Sequence, residues 1–168
     1  MAPFLNTPHG NIPPLFLVCN AVPDERLTWI DGTNMHQQVS KALGRQMTRR
    51  LADSYLSTGL GGPPAKRKNV TIFNSENQVI QFPNMLSIIT AGGIVATCPW
   101  QASIGELLHR VNVLQPKAVV CFTESCEVSE QARQKSLWRF EIIMQDSSNM
   151  GVWKYSFGQP LISSKEHE

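Results

Sequence analysis

This 168-residue sequence predicts an α/β fold: a doubly wound, mostly parallel sheet flanked by helices. Three observations point there. Apolar, β-branched runs recur at Asn69 to Asn74 (NVTIFN), Ile94 to Cys98 (IVATC) and Lys117 to Phe122 (KAVVCF), as strands buried on both faces should. Segments of helical period separate them. The connections are short, so each strand–helix–strand unit is a parallel pair with a right-handed crossover.

The elements follow in order. Residues 1–25 hold Pro3, Pro8, Pro13, Pro14 and Pro23 around one apolar run, Leu15 to Cys19, and read as an arm over the domain. Arg26 to Asp31 alternate as a short strand. From Thr33 the period changes: Met35, Val39, Leu43, Met47 and Leu51 form one stripe on a long helix. Gly59 to Lys68 connect it to the first buried strand. A phosphate loop is excluded there, because that motif opens a helix after a strand and here the order is helix, loop, strand.

Ser75 to Gln78 fit a capping box, and Val79, Phe82, Leu86 and Ile89 follow at helical spacing. Pro83 within that run predicts either a kink or a later start. Ala91-Gly92-Gly93 end the helix, one glycine supplying the left-handed turn. Ser103 to Glu106 form a second capping box, with Ile104, Leu107, Leu108 and Val111 as the stripe behind it and Gln115-Pro116 as the stop. Val128 to Lys135 read as a helix and Phe140 to Ser148 as a strand. The expected organisation is therefore an arm (1–25), an α/β domain (26–148) and an irregular C-terminal tail (149–168).

Composition narrows the function. Apolar residues make up 42% and charged residues 17%, outside the disordered and membrane-spanning classes. A formal charge of +2, with Lys66-Arg67-Lys68 as the one basic run, is too little to make nucleic acid the main partner. No basic-then-apolar leader opens the sequence, and Lys165 to Glu168 are no retention signal, so the expected setting is cytoplasmic and reducing. The Asn69-Val-Thr71 sequon is then a coincidence.

Individual residues offer no catalytic, cofactor-binding or metal-binding set. Cys19, Cys98, Cys121 and Cys126 contain no CxxC pair, and His9, His36, His109 and His167 are far from them in sequence. Cys98 and Cys121 fall in apolar runs, as buried thiols do. His36 and His109 lie off the helical stripes and read as surface residues. Ser103 is a helix cap, with no His–acid pair beside it. Glu124, Glu127 and Glu130 suit a helix start through its dipole. Trp29, Trp100, Trp138 and Trp153 are too scattered for a stacking platform.

A family likeness emerges from longer stretches. Leu27 to Met47 (LTWIDGTNMHQQVSKALGRQM) resemble the opening of the adenylate-forming enzymes, which include acyl-CoA synthetases, coumarate-type ligases, luciferases and peptide-synthetase adenylation domains. Lys68 to Phe122 are more similar still. A strand with an Asn (Val70 to Asn77) is followed by a helix ending in Ala91-Gly92. A strand and Pro99, a helix with Glu106-Leu107 and a strand opening on Lys117-Ala118 complete the order. Ala132 to Ser148 look like the next helix and strand. The resemblance spans residues 13–148, and small-acid CoA ligases of fungi and plants are nearest. Cys98 stands before Pro99 where Asn is usual, Trp100 follows it, and Asp31-Gly32 replace a Glu-Leu helix start.

The resemblance implies part of a large N-terminal domain and carboxylic-acid activation, with secondary metabolism as a setting. ATP, Mg²⁺ and CoA are implied for a full-length relative. Adenylation is governed by electrostatic stabilisation of the transferring phosphate. The family supplies it with a Ser/Thr/Gly-rich loop ending in Gly-Lys, an aromatic-Gly-x-Thr-Glu motif, a ribose-binding Asp and a Lys on a mobile C-terminal lid. This sequence contains no such loop; Thr123-Glu124 lack the aromatic-Gly pair before them, and the lid is absent. The expectation is a truncated ligase-like chain that is inactive alone and needs no cofactor itself. Two other expectations stand beside it. One is a non-catalytic protein whose partner covers the exposed half-domain surface. The other is an unrelated flavodoxin-like module, against which no GxGxxG follows a strand and Asp31-Gly32-Thr33 is a thin phosphate loop.

Overall fold

The structure, a computed structural model, describes residues 23–31, 34–62 and 69–146, and the strand backbones of 151–154 and 159–162. The arm before residue 23 and the basic run at 66–68 lie outside the described residues. Two short antiparallel strands come first, β1 (Leu27–Ile30) and β2 (Gln38–Ser40). Then follow α1 (Lys41–Ser57), β3 (Val70–Asn74), α2 (Gln81–Thr90), β4 (Ile94–Thr97), α3 (Ile104–Leu114), β5 (Ala118–Cys121), α4 (Thr123–Lys135) and β6 (Glu141–Asp146). Strands β7 (Gly151–Lys154) and β8 (Gln159–Ile162) complete it.

The main sheet has the order β4-β3-β5-β6-β7-β8. Its first four strands are parallel, as expected; β7 and β8 are antiparallel. The step from β3 to β4 runs one way across the sheet, and the step from β4 to β5 crosses back over β3. With crossovers of one hand, that reversal sends the helices to opposite faces. Two separate cores show this. Met47, Leu51 and Tyr55 of α1 and Ile88 of α2 pack on Phe73, Val120 and Ile143. Leu107 and Val111 of α3 and Ala132 of α4 pack on Ile72, Val119 and Ile142 on the other side. Adjacent residues of β3, β5 and β6 thus feed different cores, the period of two that a two-sided strand requires.

Four expectations need correction. Gln38 to Ser40 pair with β1, so the long helix starts at Lys41 and not at Thr33. Ser40 caps it, its Oγ accepting from Leu43 N at 3.2 Å. Met35 is accordingly exposed, while Val39 reaches the core from a strand. Ser75 to Gln78 are no capping box: α2 begins at Gln81, with Pro83 in its first turn, where a missing N–H costs nothing. Helix α4 begins at Thr123, five residues early, because it follows β5 almost directly. Within residues 149–168, expected as an irregular tail, β7 and β8 extend the sheet as antiparallel strands.

Other local signals act as expected. Gly92 takes the left-handed turn (φ 81°) after α2. Ser103 and Glu106 make both bonds of the capping box on α3.

Candidate functional site

In an open α/β sheet, ligands bind outside the carboxyl ends of the strands, where the winding reverses. Here the winding reverses between β3 and β5, whose following helices lie on opposite faces of the sheet. A crevice of about 490 Å³ opens on the other side of β3, at the carboxyl ends of β3 and β4, lined by Phe73, Ser75, Glu76, Asn77, Gln81, Thr97, Cys98, Pro99 and Trp100. Much of the lining sits where the chain leaves an element: Ser75 to Asn77 follow β3 before α2 begins, and Pro99 and Trp100 follow the end of β4. Trp100 is 39% exposed and meets Phe122 edge-on at 5.8 Å.

A line of buried polar side chains runs from α1 to Ser75 on the crevice wall. Tyr55 Oη donates to Asn84 Oδ1 at 2.6 Å, and Asn84 Nδ2 donates to Gln145 Oε1 at 3.2 Å. Gln145 Nε2 donates to Ser75 Oγ at 2.6 Å, and Ser75 Oγ donates to Glu76 O at 3.1 Å. Four elements, α1, α2, β6 and the loop after β3, are therefore tied together through Ser75 on the crevice wall. Burial drives the Tyr55 phenol far above its ordinary pKa, against the bond to Asn84, so it stays a neutral donor.

A second group sits at the ends of β3 and β5. Ser125 Oγ donates to Asn74 O at 2.6 Å and accepts from Phe122 N at 3.2 Å, and Asn74 Nδ2 donates to Ser129 Oγ at 3.5 Å. Cys121 is held protonated by a hydrogen bond with the Cys126 thiol and by burial. Cys98, on the crevice wall, is pushed up by burial; Arg110 opposes the shift and Glu106 adds to it. Neither thiol is an activated nucleophile.

A larger cleft, about 640 Å³, lies at the opposite, amino-terminal edge of the sheet among Lys117, Arg133, Trp138 and Arg139. Two of its cations already serve the protein. Lys117 Nζ donates to Gly59 O at 2.8 Å just beyond α1, and Arg133 pairs with Glu130 at 2.8 Å in the last turns of α4. Helix carboxyl ends attract positive charge without any ligand, so the smaller crevice is the better candidate.

The residues weighed from sequence are not brought together. His36 and His109 are exposed, Ser103 caps α3, and Trp29, Trp100 and Trp138 lie in three separate settings. Asn84 and Gln145, which hold Ser75 on the crevice wall, carried no motif, and Ser75 was read as part of a helix cap. Their one signal is polarity inside apolar runs, as with Gln145 after EIIM. Among the described residues no group of three His, Cys, Asp or Glu side chains could hold a metal ion, and no helix is long and apolar enough to cross a membrane.

Comparison with solved structures identifies the fold. A benzoate CoA ligase from Burkholderia xenovorans LB400 superposes with a TM-score of 0.71 at 14% identity, over 82% of this chain and 26% of that one. The luciferase-like enzyme of the mealworm Zophobas morio gives 0.71 at 16%, over 87% and 33%. ATP-bound MatB from Rhodopseudomonas palustris gives 0.64 at 16%, over 92% and 29%. This chain thus spans about a quarter to a third of each, and the α/β fold implied by the resemblance is the one observed. No protein-family model and no curated protein matches the sequence.

Proposed function

We propose that the chain is a ligase-like protein of the adenylate-forming kind, related to enzymes that activate carboxylic acids for transfer to CoA, and that it supplies scaffold and one crevice wall but not the phosphate-binding groups. The observation that carries this reading is the fold: the same order of helices and parallel strands recurs in a benzoate CoA ligase and in MatB over more than four-fifths of this chain. The crevice at the carboxyl ends of β3 and β4, with Trp100 at its mouth, suits a flat organic ligand.

The residues present do not fit ATP with Mg²⁺. The 168 residues contain no Gly-rich loop ending in Gly-Lys and no aromatic-Gly-x-Thr-Glu motif, and the described residues form no metal-ligand cluster. Without donors aimed at the developing phosphate charge, the rate falls by many powers of ten. On this reading the 168 residues alone activate no acid, and a partner protein covers the exposed surface of the α/β domain. A cytoplasmic setting in secondary metabolism belongs to the same proposal.

ATP–pyrophosphate exchange with the purified chain over a panel of aromatic and short aliphatic carboxylic acids tests it. The expected result is no exchange above background. Robust Mg²⁺-dependent exchange by this chain alone overturns the proposal.

A further inference from the structure

Two thiols and a thioether share one corner of the sheet, and none of them lines the crevice. Cys121 ends β5 and is the register partner of Met144 on the parallel strand β6, so the two side chains stand on one face. Both belong to the core under α3 and α4. Cys126, in the first turn of α4, is hydrogen-bonded thiol to thiol with Cys121. Cys126 and Met144 also wall a groove of about 480 Å³ along α4.

A single buried cysteine packs as a small hydrophobe. Here two thiols are in direct contact, and a polarisable thioether neighbours each. The donor set is sulfur alone: among the described residues no third His, Cys, Asp or Glu joins the two thiols. The carboxylates along the groove are engaged, Glu127 by Gln131 and Glu130 by Arg133 and Gln134. Such a set falls short of the four ligands of a structural zinc site and offers no oxygen to Mg²⁺ or Ca²⁺. Thiolate and thioether together select Cu(I). The position suits the charge as well. Cu(I) held by two thiolates is a net anion, and Cys126 lies in the first turn of α4, where the helix dipole favours negative charge. The Ser129 hydroxyl stands beside Cys121 as a further donor.

We propose that Cys121, Cys126 and Met144 bind one Cu(I) ion, independently of the ligase reading above. Binding forms two Cu–S bonds to the cysteines as their S–H bonds break, and both protons pass to solvent. Met144 Sδ adds a lone pair, and no electron is transferred. The ion enters from the groove, where Cys126 and Met144 are each 8% exposed while Cys121 is fully covered. Because the metal displaces the protons as it binds, uptake does not need the free thiolate that an alkylating reagent attacks.

Anaerobic titration of the full chain against the Cu(I) complex of bicinchoninate, with a phosphine reductant present, tests this. The expected result is withdrawal of one Cu(I) per chain, with an X-ray absorption first shell of sulfur alone. Cys126→Ser weakens uptake by at least about a hundredfold, and Met144→Leu, which keeps the side-chain volume, by at least about tenfold. Cys98→Ser leaves uptake unchanged, because Cys98 follows β4, two strands away from β5. If Cys126→Ser fails to fold, Met144→Leu and the sulfur shell decide the matter. No uptake by the wild type, nitrogen or oxygen in the first shell, uptake that Cys126→Ser or Met144→Leu leaves unchanged, or its loss in Cys98→Ser overturns the proposal.

Discussion

Gln145 Nε2, from a fully buried side chain of β6, donates to Ser75 Oγ at 2.6 Å, tying the strand to the loop after β3 that lines the crevice. The same Gln145 accepts from Asn84, and Asn84 accepts from Tyr55. A buried amide is stabilising only when its partners are all present.

Gln145→Leu leaves Asn84 Nδ2 without its acceptor and Ser75 Oγ without its donor, both out of water. The expected loss is about 2–4 kcal/mol, read as a lower urea midpoint. Tyr55→Phe strands only Asn84 Oδ1 and costs about 1–2 kcal/mol. The double variant loses less than the two losses added, because both act on Asn84. Strict additivity would show that the line of side chains does not act as a unit.

Gly44 lies beneath Trp29, and a Cβ there would run into the indole ring. Trp29 also packs on Phe82 at 5.3 Å, so it links the β1–β2 ribbon to α1 and α2. Gly44→Ala ordinarily favours a helix by about 1 kcal/mol. Here the displaced ring reverses the sign, with an expected net loss of about 1–2 kcal/mol by urea denaturation and a changed tryptophan emission. A more stable Gly44→Ala protein would mean the ring is not held there.

Glu106 has its pKa lowered by the backbone and side-chain hydrogen bonds from Ser103. A carboxylate whose folded pKa is depressed adds stability above its unfolded value and loses it as pH falls through the folded value. Relative to Glu106→Gln, the wild type is expected to be more stable at neutral pH, with the gap closing below about pH 4. Parallel unfolding midpoints for the two proteins at every pH would remove the capping bonds from the account.

The thiols of Cys98, Cys121 and Cys126 are buried, and those of Cys98 and Cys121 are pushed toward the protonated form. Iodoacetamide at neutral pH is expected to leave all three unmodified in the folded chain and to label them in denaturant, as mapped by peptide mass. Fast native labelling of Cys98 would instead mark it as a reactive group on the crevice wall.

Signals that act over a few residues were legible from the sequence. The box of Ser103 and Glu106, the glycine turn after α2 and the two-sided strands at 70–74 and 118–121 stand where expected. The errors have a common physical cause. Val39 suits a helical stripe as well as a strand, and pairing of Gln38 to Ser40 with β1 settled which period governs. Ser75 and Gln78 have capping chemistry, yet Ser75 is taken up by Gln145, seventy residues away.

Alternating runs of apolar residues were enough to specify the parallel α/β class, because burial on two faces requires side chains that any local window displays. The order β4-β3-β5-β6, the side each helix takes and the meeting of Tyr55, Asn84, Gln145 and Ser75 depended on folding of the whole chain. Strand neighbours are selected by non-local hydrogen bonds and packing, and a polar side chain in an apolar run does not name the distant partner that will satisfy it.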